Sequence, residues 1–307
     1  MISPIKSIFN KNLTSISQLS NNDIFSIFEL AKKIKDRKVQ VNFENKKSIG
    51  LLFFQPSTRT RMSFEIAAKN IGLNTLLETN PEINSAMAKQ ETLHDILKTM
   101  SYYNDAIILR HPNENEVFDN IKNINVPIIN AGWGNYEHPT QSLIDLYTFN
   151  NLFEQKKNNK IVKKDIAIVG DPNTRTSKSI SELCSRFDFN ISFIYPSIFK
   201  PEKFVNNFKK YKCDDSNEFK KISKKFDILY YSNFTGTEID FDRNKIYDTY
   251  FLDYSFLNDN KIYVYSPLPR RPNEIDVKSD NTPHNLSFIG VKNSVFLRMA
   301  LLKNIIV

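Results

Sequence analysis

Leu51-Leu52-Phe53-Phe54-Gln55-Pro56-Ser57-Thr58-Arg59-Thr60-Arg61, residues 51–61, sets four apolar residues against a Gln-Pro break and then a cluster of hydroxyls and guanidiniums. The apolar run reads as the end of a strand. The residues after Pro56 read as the first turn of a helix that continues to Gly72, a C-terminal stop. On such a strand-to-helix turn the first backbone N–H groups have no helical partners, and the macrodipole favours an anion. One reading is that Ser57 only caps the helix and both arginines are solvated. Three hydroxyls and two arginines within five residues exceed what a cap requires, so the turn reads as a phosphate cradle built without a glycine loop.

Outward from this turn the pattern alternates. Ser48–Phe54, Asn74–Leu77, Asp105–Leu109 and Val126–Ile129 read as strands, with Ser57–Ile71, Glu91–Tyr103 and Val117–Ile121 as helices between them. A helix from His138 to Glu154 runs into the Lys/Asn-rich segment Lys156–Lys164. The alternation then restarts with strands Asp165–Val169, Ile191–Tyr195, Asp227–Tyr231 and Lys261–Tyr265 and helices Thr176–Phe187, Pro201–Tyr211 and Glu218–Lys225. The expected fold class is α/β, two doubly wound parallel-sheet domains with an interdomain active-site cleft. Residues 1–150 form the first domain and 151–285 the second, and the last helix, within 286–307, packs back on the first.

Composition narrows the function. The chain has 307 residues, with 42 Lys and Arg against 34 Asp and Glu for a net charge of +8. The excess is lysine dispersed along the chain, which is no nucleic-acid signature, so no nucleic-acid partner is expected. Arginine is scarcer, ten residues, and Arg59, Arg61, Arg110, Arg175, Arg270 and Arg271 all lie in or beside turn-like junctions. No run reaches the roughly 18 apolar residues of a membrane span, and Met1–Gln18 carries polar residues throughout, so a cytoplasmic protein without a membrane partner is expected. Cys184 and Cys213 have neither metal-ligand nor disulfide-framework spacing and read as reduced thiols; no metal is expected. Other nucleotide motifs are absent, since no GxxxxGKS/T occurs and none of the seven glycines forms GxGxxG.

Phe53-Phe54-Gln55-Pro56-Ser57-Thr58-Arg59-Thr60-Arg61-Met62-Ser63-Phe64-Glu65 resembles the carbamoyl-phosphate signature of the transcarbamoylases. Leu109-Arg110-His111-Pro112, His138-Pro139-Thr140-Gln141, Val169-Gly170-Asp171 with Arg175-Thr176, and Pro267-Leu268-Pro269-Arg270 come after it in family order along nearly the whole chain. Ornithine enzymes of the superfamily usually have HPCQ and HCLP where this sequence has His138-Pro139-Thr140-Gln141 and Ser266-Pro267-Leu268-Pro269, so the resemblance is to the aspartate carbamoyltransferase branch.

The resemblance implies roles. Ser57, Thr58, Arg59 and Thr60 hold the phosphate, and Arg110 bridges phosphate and carbonyl oxygen. Thr60, Arg110 and His138 meet the charge that builds on that oxygen, and Gln141 with the carbonyls of Pro267 and Leu268 fixes the carbamoyl NH2 group. Arg59, Thr60, Arg110 and His138 are thus the expected catalytic residues, while His94, His111 and His284 are assigned structural roles. The family carries the counterparts of Ser85 and Lys89 on a loop that enters the adjacent subunit's active site, which implies at least a homotrimer with shared sites. Carbamoyl phosphate and L-aspartate are the implied ligands, with no cofactor. A separate regulatory chain is compatible with the resemblance but is implied by no motif.

The second half departs from the pattern. Asp227-Ile228-Leu229-Tyr230-Tyr231-Ser232-Asn233-Phe234-Thr235-Gly236-Thr237-Glu238 aligns with the family's DxLYxTRxQxER, whose first Arg and Gln grip aspartate. Here those amino-acid-binding positions are Asn233 and Thr235, Glu238 stands at the later basic position, and Gln55 replaces an acidic residue before the phosphate motif. Truncating a buried, paired charge costs roughly 2–5 kcal/mol. Either a nearby cation such as Lys178, Arg243 or Arg271 substitutes, or the acceptor is another amine, or the chain binds carbamoyl phosphate without turning it over. Lys89, Arg175 and Thr176 remain for an amino-acid carboxylate, which keeps aspartate as the leading acceptor.

Overall fold

A computed structural model describes residues 5–43, 45–81, 90–153, 164–187, 189–234, 243–271 and 274–306. The chain divides into two compact units, Met1–Tyr147 with Lys292–Val307, and Thr148–Val291. Each is built on one all-parallel sheet.

In the first unit the strands are β1 (Lys47–Phe53), β2 (Leu73–Thr79), β3 (Ala106–His111) and β4 (Ile128–Trp133), in the order β2-β1-β3-β4. The interleaved helices are α2 (Thr58–Asn70), α3 (Leu93–Tyr103) and α4 (Glu114–Asn120), after an opening α1 (Asn21–Lys35). Strand residues such as Ile49, Leu51, Leu52, Ile107, Ile108 and Leu109 are all fully buried, which is why these strands read as continuous apolar runs rather than alternating ones. Leu52, Leu97, Ile107, Leu109 and Trp133 belong to one apolar cluster under α3 and α4. The helix α5 (Pro139–Phe153) leads into the second unit.

That unit orders its strands β7-β6-β5-β8-β9: β5 (Asp165–Val169), β6 (Asn190–Tyr195), β7 (Lys209–Lys212), β8 (Ile228–Tyr231) and β9 (Tyr263–Tyr265). Its helices are α6 (Arg175–Ser185), α7 (Ser216–Ser223), α8 (Arg243–Tyr250) and α9 (Tyr254–Asn260). The last helix, α10 (Ser287–Ile305), begins there and carries the chain back into the first unit. Among the described residues no helix is long and apolar enough to cross a membrane.

Pro201–Tyr211, whose apolar spacing reads as helix, is instead a 3-10 turn, Lys203–Asn207, followed by strand β7 paired in parallel with β6. The residues that suggest a helical stripe are divided among separate contacts. Phe204 and Phe208 pack on Phe193, with ring centroids 6.3 and 5.5 Å away, while Val205 is fully buried. Lysines then occupy three of the four positions of β7, the edge strand, where charge blunts pairing with other chains. β4 also lies later than its sequence pattern suggests, because Asn130 and Gly132, poor strand formers, fall inside it.

Both sheets lock their central pair by the same device. At the start of β3, Asp105 accepts the Ser48 N–H at 2.8 Å and its own N–H donates to the Ser48 carbonyl. At the start of β8, Asp227 accepts the Asp165 N–H at 3.0 Å and its own N–H donates to the Asp165 carbonyl, while Lys164 Nζ sits 2.8 Å from the carboxylate. A one-residue slip would turn every buried side chain to the other face, so these clamps fix register where it matters most. Asp105→Ala and Asp227→Ala should each lower stability by about 1 kcal/mol, read as a lower urea midpoint at unchanged slope; an unchanged midpoint would remove the clamp's energetic role.

Candidate active site

β1 and β3 are neighbours, yet the connection leaving β1 leads to β2 on one side and that leaving β3 leads to β4 on the other. Ligands of open α/β sheets bind at such a switch point, beyond the carboxyl ends of the strands. The sequence places the Ser/Thr/Arg turn and Arg110 at these two strand ends. Phe53 stands in register with Arg110, and the Phe54 N–H donates to the Arg110 carbonyl at 2.9 Å.

The turn itself is the start of α2. Ser57 is the N-cap residue, with φ −155° and ψ 78°, but its side chain makes no capping hydrogen bond. The first helical bond is Arg61 N–H to the Ser57 carbonyl, 3.1 Å, so the amides of Thr58, Arg59 and Thr60 precede the helical ladder. Thr60 is buried, while Ser57 is half-buried and Thr58 and Arg59 are exposed. Exposed as it is, Arg59 has enough protein about its guanidinium for desolvation to lower its pKa, though an arginine remains a cation at any working pH. Arg61 turns away to pair with Glu65 at 3.4 Å, and that carboxyl also holds Lys69 at 2.8 Å.

The β3–β4 register shifts here: Leu109 pairs with Asn130 but His111 with Trp133, so β4 carries one extra residue and Ala131 and Gly132 together oppose Arg110. Arg110 Nη1 donates to the Ala131 carbonyl at 3.0 Å. Next along β4, Gly132 adopts φ +105°, where L side chains are strained, and its N–H donates to Asn130 Oδ1 at 2.7 Å. A Cβ here would collide with Arg110 Nη1 and lie 3.3 Å from His138 Cδ2, so Gly132 is the thin wall on which Arg110 and His138 meet.

His138 is buried just before Pro139, the first residue of α5, and its carbonyl accepts the N–H groups of Gln141 at 3.0 Å and Ser142 at 3.2 Å. Gln141 Nε2 donates to the buried Asp145 Oδ1 at 2.7 Å, which fixes the amide so that Oε1 is its acceptor end. Glu137 anchors the same loop by accepting Ser15 Oγ at 2.7 Å and Ile16 N–H at 3.0 Å. Arg59, Thr60, Arg110, His138 and Gln141 therefore belong to one end of one sheet. Gly132, Asn130 and Glu137 escape the motif reading; the one signal in the sequence is a glycine six residues before a His-Pro helix start.

The second unit repeats the arrangement with different chemistry. Gly170, φ +120°, lets the end of β5 lie against the Ser232 carbonyl, and the Asp171 N–H donates to the Asn233 carbonyl at 3.1 Å. Thr174, Thr176, Ser177 and Ser232 form a hydroxyl cluster linked at 2.6–3.1 Å. Arg175 and Thr176 open α6, capped by Thr174, which accepts the Ser177 N–H. Burial pushes the Asp171 carboxyl above the usual range, against the Asn173 N–H that opposes the shift.

Asn233 is half-buried beside the fully buried Phe234, which packs on the rings of Tyr247 and Tyr250 at 5.8 and 5.0 Å. Arg271 lies over the first of these two rings, its guanidinium 5.5 Å from the Tyr247 centroid. Lys178 lies in the first turn of α6, and Arg243 begins α8. Pro267 and Leu268 come just after β9; Leu268 has φ +60° and donates its N–H to Ser266 Oγ at 3.1 Å, which orients the peptide plane it shares with the Pro267 carbonyl. Ser85, Lys89, Thr235 and Glu238 lie outside the described residues.

Comparison with known proteins agrees with both halves. Residues 11–151 match the family model described as aspartate/ornithine carbamoyltransferase, carbamoyl-P binding domain, and residues 162–305 match its Asp/Orn binding domain. The chain is 32% identical to a ureidoglycine carbamoyltransferase of Rubrobacter xylanophilus, across 96% of this chain and 92% of that protein. It is 33% identical to the aspartate carbamoyltransferase catalytic subunit of Picrophilus torridus, across 97% and 98%. Among solved structures, the catalytic subunit of M. jannaschii aspartate transcarbamoylase superposes with TM-score 0.83 at 31% identity, covering 95% of this chain and 97% of that one. The Trypanosoma cruzi enzyme in complex with N-(phosphonacetyl)-L-aspartic acid gives 0.85 at 26%, covering 99% and 98%. With both domains matched in order and nearly the whole length shared, this chain belongs to the aspartate/ornithine carbamoyltransferase family.

Proposed function

We propose that the chain transfers the carbamoyl group of carbamoyl phosphate to L-aspartate, giving N-carbamoyl-L-aspartate and phosphate, the committed step of pyrimidine synthesis, in the cytoplasm. The observation that carries this reading is the meeting of Arg110 and His138 on Gly132, in the same unit as the anion-ready first turn of α2. The phosphate takes the amides and hydroxyls of Ser57–Thr60 together with Arg59. Thr60, Arg110 and His138 polarise the carbonyl, and Gln141 Oε1 accepts from the carbamoyl NH2. A neutral amine attacks the carbonyl carbon, and the three donors stabilise the oxyanion that forms. The C–O bond to phosphate then breaks, its electron pair leaves with phosphate, and the amine proton is lost with it. Positioning and charge stabilisation supply the rate.

In the acceptor half, Arg175 and Thr176 hold the amino-acid carboxylate. Arg271, held against the aromatic cluster that flanks Asn233, compensates for the arginine this loop lacks. One observation favours a second reading, transfer to a different amine. Asn233 is neutral where the aspartate branch has an arginine, and the relatives include a ureidoglycine carbamoyltransferase.

The proposed assembly is a homotrimer in which Ser85 and Lys89 of one copy serve the site of another. Met62, Ile66, Leu76 and Leu77, all 45–54% exposed on α2 and β2, give the first unit an apolar surface that such an assembly would cover.

Three outcomes are expected. In a panel of amines with carbamoyl phosphate, aspartate should be carbamoylated with a raised half-saturation concentration. Turnover of another amine with none of aspartate would reject aspartate, and binding without transfer to any amine would leave a silent relative. Gly132→Ala should fold, by circular dichroism, yet lose about 100-fold in kcat/KM through displaced Arg110 and His138. Finally, inactive Arg59→Ala and Lys89→Ala chains, unfolded and refolded together, should regain activity if sites are shared; a mixture as inactive as its parts would reject the sharing.

A further inference from the structure

We infer that Arg298 is a positioning residue for the phosphate-binding turn, acting through Ser63; the inference rests on the assignment of the first turn of α2 to carbamoyl phosphate. Arg298 lies on α10 within the segment that returns to the first unit, and it is 2% exposed. Its guanidinium covers the Phe64 ring, 4.4 Å from the centroid, and its Nη1 donates to Ser63 Oγ. Ser63 Oγ in turn lies within hydrogen-bonding reach of the Arg59 carbonyl and 3.0 Å from the Thr60 carbonyl. A buried cation on a distant helix is thus connected, through one hydroxyl, to the backbone of the two residues that present the guanidinium and the threonine to the ligand.

The physics of each link favours a role in positioning over simple adhesion between helices. A serine hydroxyl that bonds back to the carbonyl one turn earlier tilts that turn, which alters where the preceding amides point. A hydroxyl that accepts from a guanidinium becomes a stronger donor, so Arg298 tightens the bond from Ser63 to the Arg59 and Thr60 carbonyls. Stacking on Phe64 fixes the plane of the fork, which a lysine ammonium cannot reproduce even though it keeps the charge. Arg298 also places a positive charge beside the positive end of α2, an arrangement relieved when a dianion occupies the turn.

The test uses the full chain and measures binding of carbamoyl phosphate and of inorganic phosphate by titration calorimetry, with steady-state kinetics alongside. Arg298→Met should raise the Kd for both anions about ten-fold or more, the loss of one hydrogen bond from a charged donor. The KM for carbamoyl phosphate should rise with it, and the acceptor KM should hold when carbamoyl phosphate saturates. Arg298→Lys should fall between wild type and Arg298→Met. Ser63→Ala should weaken anion binding in the same direction and lower the thermal midpoint, because it takes the Ser63 acceptor away from the buried Arg298 Nη1. If Arg298→Met does not fold, Ser63→Ala decides alone. Unchanged anion affinity in the variants, with or without a fall in thermal midpoint, would reduce Arg298 to a structural contact and overturn the inference. Failure of the wild-type chain to bind either anion would overturn the assignment of the turn as well.

Discussion

The hydrogen bond from the Phe54 N–H to the Arg110 carbonyl is the constraint on which the donor half of this molecule depends. It closes the ladder between β1 and β3 at the end where their connections part to opposite sides of the sheet, the topological position at which open α/β sheets leave a crevice. The turn Ser57–Thr60 continues directly from one strand and Arg110 stands at the end of the other. Asp105 holds the same two strands at their opposite end through Ser48. With both ends of the pair held, the bulge of β4 opposite Arg110, with Gly132 inside it, can depart from regular strand geometry without loosening the β1–β3 pair.

The second unit reuses this mechanical solution for a different kind of ligand. Asp227 takes the place of Asp105, and Gly170 beneath the Ser232 carbonyl brings two strand ends together much as Gly132 brings Arg110 to His138. The difference lies in the chemistry at the opening. The first unit presents guanidiniums suited to a doubly charged group. The second presents interlinked hydroxyls around Thr174 and Ser232, with Arg175 at the helix start and a buried carboxyl, Asp171, nearby. The hydroxyls of that cluster are linked to one another at 2.6–3.1 Å, so the opening is lined by a connected hydrogen-bond network rather than by paired guanidiniums.

Much of this is legible in the sequence because its signals are local. A strand leading into Ser57-Thr58-Arg59-Thr60 is one covalent stretch, and the parallel strands announce themselves as buried apolar runs. Features that depend on a partner far along the chain escape. The lysine-rich edge strand Lys209–Lys212 is a strand only because β6 lies beside it, and its local spacing argues for helix. The short helices α8 and α9 have no strong apolar period, whereas α1 carries both signals, Ile24, Ile27, Phe28, Ala31 and Ile34 at helical spacing after Ser20, whose hydroxyl accepts the Asp23 N–H at 3.2 Å. Gly132 looks like any strand-breaking glycine until Arg110, from another strand, is placed against it. Asn233 is the converse case: the sequence marks the substitution at once, whereas the edge-to-face contact of Phe234 with Tyr247 and the Arg271 guanidinium over that ring emerge only from the fold.

The first unit is discontinuous along the polypeptide, and this bears on the order of events at the ribosome. Arg298 emerges 235 positions after Ser63, and Asn304 and Ile305, which accept the N–H groups of Ile5 and Asn10, emerge later still. A nascent chain that has completed only residues 5–147 therefore lacks the guanidinium that bonds Ser63 in α2 and the helix that tethers its own N-terminal segment. Translation must pass through the whole acceptor unit before the donor unit can consolidate. The N-terminal segment of the half-made molecule is likewise left without the Asn304 and Ile305 acceptors that hold it in the finished one.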